Sequence, residues 1–388
     1  FISPEADLPR NLRSSDLTLD TTGGPYFEVQ ELRALATFVL EGVIPNDALA
    51  SPAQKAETMF FRGMANLISA ENFVAVPVEE NGRPVPDAQL LQLALDDFNE
   101  AFNLNTQSDF QTRIHIVRAR TYRLMGDKTK AQEEAMAALA GPSTFVFPAQ
   151  FDATNNINRA FQFAVSRALN DVQPLPRLDF LDPKYTVRDA PIATVKMEEA
   201  HLILAEISLS NGDNGGAISH LVDAINLANS RERIAFLDTD PRQLRPQGGT
   251  VQASPSAPAI AGLILPRSGG VVQVPTVSAT SLDATAVQAL TDPVEILRTL
   301  YLARQEIFFF EGRRMSDLGI RLPMMNREIE TNVNINAGDP GTIVFVPEYI
   351  PAADELDAFT INGNNTVIKF DMNQVLADNR VSPFSMPF

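Results

Sequence analysis

Apolar and small residues recur along much of this 388-residue chain at the three-and-four spacing of a single helix face. In LALDDFNEAF these positions are Ala94, Phe98 and Ala101; in GDKTKAQEEAMAAL they are Ala131, Ala135 and Ala138; in GDNGGAISHLVDAI they are Ala217, Leu221 and Ala224. Each set starts and ends on a small residue, and small side chains on one face let a second helix approach closely. Two copies carry Gly-Asp five residues ahead of the first alanine, at Gly126-Asp127 and Gly212-Asp213. Glycine takes the left-handed conformation that ends one helix, and aspartate caps the next.

A helix is predicted before each copy. The first opens at SPAQ, with Ser51 as N-cap, Pro52 at the first helical position and Gln54 completing a capping box. The second is RIHIVRARTYRLM, and the third is TVKMEEAHLILAEISLS with Thr194 as its cap. An earlier helix, YFEVQELRALATFVLEG, is expected to close on Gly42. The pattern predicts a mainly α fold: a tetratricopeptide-like helical repeat core with long irregular loops and a few short β-hairpins. A generic bundle in which the alanine spacing recurs by chance is the alternative.

The repeats are interrupted. NFVAVPVEENGRPVPDA separates the first pair of helices, and PLPRLDFLDPKYTVRDAPI lies between the second and third units. The stretch from PRQLRPQGG to VVQVPTVSAT is too long and too rich in proline for an ordinary connection. The expected organisation is therefore one domain over 1–388, with a helical core at 50–230 and a Pro/Gly/Ser-rich insertion at 240–290. A core helix and an irregular C-terminal part fill 291–388, where FTINGNNTVIKF reads as a hairpin around Asn362-Gly363. Long insertions on a rigid scaffold are where binding residues gather.

The densest apolar run, YLARQEIFFFEGRRMSDLGI, follows TDPVE. There Asp292 caps a helix, Pro293 fits its first position and Glu295 its third. Ile296, Leu300, Ala303, Ile307 and Phe310 make one stripe that Phe308 and Phe309 widen. This predicts a core helix through the phenylalanines rather than a membrane finger or a nucleic-acid wedge. Arg304, Glu306, Glu311, Arg313 and Arg314 flank it, and Arg–carboxylate bridges to neighbouring helices are expected to satisfy them.

Composition narrows the function. With 31 basic and 48 acidic residues the net charge is −17, which disfavours nucleic acid and anionic lipid as partners. No apolar run reaches the roughly 18 residues that span a bilayer. The absence of cysteine excludes disulfides, thiolate metal sites and cysteine nucleophiles. His115, His201 and His220 show neither helical zinc spacing nor HExxH and read as polar helix positions. NGDNGG at 211–216 lacks the acidic twelfth residue of a calcium loop, since Val222 stands there, and reads as a turn between helices. No nucleophile elbow, P-loop or dinucleotide fingerprint occurs. No catalytic residue, metal or cofactor is expected, and the chain does not read as an enzyme.

Several stretches resemble one family in the right order. RQEIFFFEGRRMSDLG is similar to a segment of SusD/RagB-like outer-membrane proteins, with Glu311, Gly312, Arg314, Asp317 and Leu318 matching. AETMFFRGMANLISAENFVAVP resembles the family's early Arg-bearing helix, and RIHIVRARTYRLMGD its Ala-rich helix before Gly-Asp. Glu199, Ala200, Leu202, Ala205 and Glu206 carry the Glu-Ala-x-Leu-x-x-Ala-Glu stretch, and FVPEYIPAADEL resembles the late Pro-x-Pro-x-x-Glu region. The resemblance implies a nutrient-binding lipoprotein at the cell surface of an outer membrane, acting as lid for a TonB-dependent SusC-like transporter. The lipid-bearing cysteine is expected just upstream of Phe1, and membrane attachment only through it. The implied ligand is an oligosaccharide or a peptide. With no Trp and five Tyr the chain is short of sugar-stacking platforms, and only Tyr185 and Tyr349 fall in predicted loops. Ligand contacts are expected at Asn81 and Arg83, at Phe180 and Tyr185, and in the 240–290 insertion. The alternative is a tetratricopeptide-type scaffold that binds a partner peptide.

Overall fold

A computed structural model describes residues 9–161, 184–237, 249–252, 254–259, 270–351 and 358–384. These fall into two compact units. One comprises Pro9–Phe145 with Gly319–Pro347, and the other Val146–Leu318 with Glu348–Phe388. Among the described residues helices dominate and the strands form only two- and three-stranded sheets, so the mainly α expectation holds.

The first unit contains α1 (Pro25–Phe38), α2 (Pro52–Asn72), α3 (Asp87–Leu104), α4 (Ser108–Leu124) and α5 (Lys128–Ala138). Helix α2 starts where its sequence requires. Ser51 Oγ accepts from the Gln54 amide at 3.2 Å, and the Gln54 side chain accepts from the Ser51 amide at 2.8 Å. Helices α2 and α3 pack as one pair and α4 and α5 as another. The predicted small faces make these contacts: Ala94, Phe98, Ala101, Ala131, Ala135 and Ala138 are all buried. Charged pairs tie the helices laterally. Arg62 grips Asp97 through Nε and Nη2 at 3.0 and 2.6 Å, while Arg113 lies 4.2 Å over the Phe60 ring and donates to Glu57 at 2.8 Å. The Pro-rich loop folds into β1 (Ala75–Val76) and β2 (Val85–Pro86), an antiparallel pair. Leu322 bridges to Phe73 beside them.

Helix α1 does not close on Gly42 as expected. It leaves α geometry after Phe38, passes through one wide turn (Val39–Val43) in which the Ile44 amide reaches Val39 O, and ends in a tight turn at Ile44–Asn46. Pro45 brings no amide donor, so the helix cannot be extended there.

In the second unit β3 (Val146–Ala149) pairs antiparallel with β4 (Ile192–Lys196), which feeds α6 (Met197–Ser210) and its partner α7 (Asn214–Ser230). The turn between them has the predicted chemistry. Gly212 has φ 75° and the Asp213 carboxylate accepts from the Gly216 amide at 2.8 Å; Gly126, at φ 73°, and Asp127 repeat the arrangement in the first unit. Ala217, Leu221 and Ala224 are buried. Thr194 is not the cap of α6. The pairing of β4 with β3 holds it extended, and its hydroxyl donates to Phe147 O at 2.8 Å. Further along, β5 (Arg233–Leu237) pairs antiparallel with β7 (Val271–Pro275). Strand β6 (Thr250–Gln252) lies parallel to β9 (Asn365–Ile368), whose other neighbour is β8 (Phe359–Asn362). Asn362 faces Asn365, so the hairpin turns on Gly363-Asn364, one residue later than expected.

Helix α8 (Pro293–Ile307) begins at its predicted cap, Asp292, and buries Ile296, Leu300, Ala303 and Ile307. It stops before the phenylalanines. Phe308–Phe310 form a turn closed by the Glu311 amide on Phe308 O, with Phe310 at φ 58°. Phe308 and Phe309 are nevertheless buried, so the run is core although it is not helix. The charges beside it are met partly by the expected Arg–carboxylate bridges and partly by other partners. Glu311 accepts from Lys184 and, at 2.7 Å, from Lys196; Glu306 accepts from Ser281 Oγ and the Ser281 amide, both at 2.7 Å. Arg304 does bridge to Asp317, at 2.8 Å, and Arg313 pairs with Glu199 of α6 at 3.6 Å while also donating to Thr194 O at 2.8 Å. Arg314 departs from the expectation. Its three guanidinium nitrogens are buried without a hydrogen-bond partner among the described residues.

Candidate functional site

A groove of about 460 Å³ opens on the first unit between α1 and α2. Helix α1 and its extension contribute Leu32, Leu35, Ala36, Val39 and Val43, and α2 contributes Gln54, Glu57, Thr58 and Phe61. Both series follow the three-and-four spacing of one helix face. Leu35 is 58% exposed and Phe61 37%, so apolar side chains meet water there. The polar groups in the lining are already engaged. Thr58 Oγ1 donates to Gln54 O at 2.9 Å, Glu57 is held by Arg113, and Asp47 accepts from the Leu49 amide at 2.9 Å. The groove therefore offers an aliphatic wall with a carboxylate rim. Each apolar side chain of a ligand that it fully covered would contribute about 1.5–3 kcal/mol.

The residues singled out from the sequence are scattered. Asn81 and Arg83 lie exposed on the turn between β1 and β2, where Asn81 has φ 53°. That turn is pinned by side-chain amides: Asn334 Nδ2 donates to Asn81 O at 2.7 Å and Asn332 Nδ2 to Gly82 O at 2.9 Å. Neither Asn81 nor Arg83 lines the groove. Phe180 lies outside the described residues. Tyr185, expected as a loop aromatic open to ligand, is 1% exposed. It packs with Phe161, Phe236 and Val274, and burial raises its phenol well above the ordinary range. A ring covered on both faces cannot stack on a ligand, so the exposure inferred for Tyr185 is corrected. Tyr349 is half-buried, with its hydroxyl donating to Leu318 O at 2.9 Å. Within the 240–290 insertion the described pieces are β6, β7 and a short helix at Ala284–Gln288.

Sequence reasoning missed one further cluster in the second unit. His201 on α6 lies against His220 and Asp223 on α7, with the two imidazole centroids 6.0 Å apart and donor atoms of all three side chains within 4.8 Å of one another. Spacing within a single helix could not reveal it. The available signal was that the two histidines stand on opposite sides of the Gly212 turn, which folds their helices together. His115 is engaged elsewhere, its Nδ1 2.6 Å from Glu134 Oε2. Among the described residues no helix is long and apolar enough to cross a membrane.

No family model matches the chain, and neither does any curated protein. Solved structures do. A SusD superfamily protein from Bacteroides fragilis NCTC 9343 superposes with a TM-score of 0.50 at 12% identity, covering 81% of this chain and 78% of that one. A SusD/RagB family protein from Bacteroides thetaiotaomicron VPI-5482 gives 0.49 at 13% identity, covering 87% of each chain. A putative sugar binding protein from Bacteroides vulgatus ATCC 8482 gives 0.49 at 12% identity, covering 87% of this chain and 81% of its own. Identity this low speaks to architecture and not to ligand, and what the helix pairs and the first superposition establish together is that this chain has the SusD-superfamily fold.

Proposed function

We propose that this chain is a non-enzymatic binding protein of the cell surface that captures nutrient as the lid of a TonB-dependent, SusC-like transporter. The observation that carries this reading is the SusD-superfamily fold, and the ordered motifs from Glu199 to Leu318 support it. A lipid on a cysteine upstream of Phe1 would hold the chain at the outer membrane. The ligand is an oligosaccharide or a peptide. The lining of the α1–α2 groove, aliphatic apart from Phe61, favours peptide side chains over sugar rings, which stack on flat aromatic faces. Asn81 and Arg83, exposed on their turn, are the proposed polar contacts. The same groove favours a second reading, a tetratricopeptide-type scaffold that seats the apolar segment of a partner's peptide tail.

Two measurements separate these readings. Affinity purification from the native membrane is expected to recover a large β-barrel protein in stoichiometric amount. A library of soluble oligosaccharides and peptides is expected to give saturable binding that weakens in Leu35→Asp or Arg83→Ala. Recovery of the barrel without any library hit would keep the lid role and remove the nutrient claim. Peptide binding with no barrel recovered would transfer the protein to the scaffold reading, and failure of both would overturn the proposal.

A further inference from the structure

We infer that His201, His220 and Asp223 form a binding site for a divalent transition ion of the zinc class, on the face shared by α6 and α7. Three observations converge on it. His220 and Asp223 stand one helical turn apart on α7, and His201 meets them from α6, so the ligands come from a rigid helix pair rather than a loop. Their donor atoms already lie within 4.8 Å of one another, with His201 Nδ1 3.9 Å from Asp223 Oδ2. A tetrahedral ion with ligand bonds of about 2.0–2.1 Å needs donors roughly 3.3 Å apart. Small side-chain movements, easiest for the exposed Asp223 carboxylate, would close that difference.

The third observation is the state of the imidazoles. The Nδ1 atoms of both His201 and His220 are buried and have no hydrogen-bond partner among the described residues. A buried ring nitrogen is costly to leave unpaired, and a metal ion would satisfy it. An imidazole coordinates a metal through a ring nitrogen that carries no proton. Two nitrogens and one carboxylate select zinc, cobalt, nickel or copper over the oxygen-seeking calcium and magnesium. Three protein ligands leave a fourth position for water or for a donor from another molecule.

The test uses untagged protein, stripped with chelator, and zinc chloride as the probe in calorimetry. One ion per chain is expected, with His201→Gln and His220→Gln each weakening affinity at least about tenfold. Asp223→Asn is exposed enough to leave the fold alone and should weaken it too. His115→Gln should bind like the wild type. Cobalt chloride should give the visible absorption bands of a tetrahedral complex, lost in His220→Gln, and calcium chloride should give no binding heat. Circular dichroism checks that each variant is folded. Zinc binding that is absent, or equally tight in folded His201→Gln and His220→Gln, overturns the site.

Discussion

Gly63, in the middle of α2, sets two effects of known size against each other. In an open helix Gly→Ala is favourable by about 1 kcal/mol, because alanine has less backbone freedom to lose. Here a Cβ would stand 2.6 and 2.8 Å from two carbons of the Phe98 ring and 3.1 Å from a third. The ring has no free direction. Phe98 has no exposed surface, its centroid is 6.1 Å from that of Phe60, and Ala94 and Ala101 pack on the same face of α3. Forcing a methyl group into a filled core costs typically about 1–3 kcal/mol. The packing penalty should therefore win, and Gly63→Ala is expected to destabilise the protein by up to about 2 kcal/mol net. Urea unfolding followed by far-UV circular dichroism measures it. Two further variants isolate the cause. In a Phe98→Leu background, where the ring edge is gone, Gly63→Ala should become neutral or stabilising, a coupling that a double-mutant cycle reads directly. At Gly42 the added Cβ would approach only the ring of Phe38, which is 64% exposed and can turn aside, so Gly42→Ala should not destabilise. A Gly63→Ala protein as stable as the wild type, or more stable, would refute the reasoning.

Phe309→Ala should cost about 3–5 kcal/mol in the same assay and leave ligand affinity of the folded protein unchanged, since Phe309 is core; lost binding at unchanged stability would make the run a docking surface. Arg314→Met should be neutral or raise the melting temperature. The guanidinium is buried without a hydrogen-bond partner, and burial, partly offset by Asp317 and Asp371, brings its pKa down to about 10. A loss of about 3–5 kcal/mol, the scale of a broken buried ion pair, would refute that. In metal-free protein His201 and His220 have pKa values below the ordinary 6.5 because burial disfavours their charged forms. The unfolded chain then takes up protons first, so stability should be full above pH 6.5 and decline as pH falls below it. The double variant His201→Gln with His220→Gln should flatten that acid limb in thermal melts, and an unchanged limb would count against the burial argument.

The sequence by itself determined the features whose partners are a few residues away. The capping box at Ser51, the Asp292 cap before Pro293 and the Gly-Asp turns at 126–127 and 212–213 appear as read. A hydroxyl or carboxylate three residues from an orphan amide carries its own partner, and a left-handed turn selects glycine locally. The faces Ala94–Phe98–Ala101 and Ala217–Leu221–Ala224 were legible for the same reason, since helical period is a property of the chain and burial follows it. Everything set by what lies opposite needed the tertiary structure. Thr194 looked like a cap until β3 claimed it as strand, and Phe308–Phe310 continued a helical stripe that the chain leaves after Ile307. Glu311 sought arginine and found Lys184 and Lys196. Tyr185 read as a loop aromatic, yet Phe161, Phe236 and Val274 close over it. The α1–α2 groove and the contact distances of His201 with His220 were not legible, because each needs two helices folded face to face and only the Gly212 turn hinted at the second. Their donors and walls come together only through packing, whose energy depends on shape across the interface and not on the order of residues along either helix.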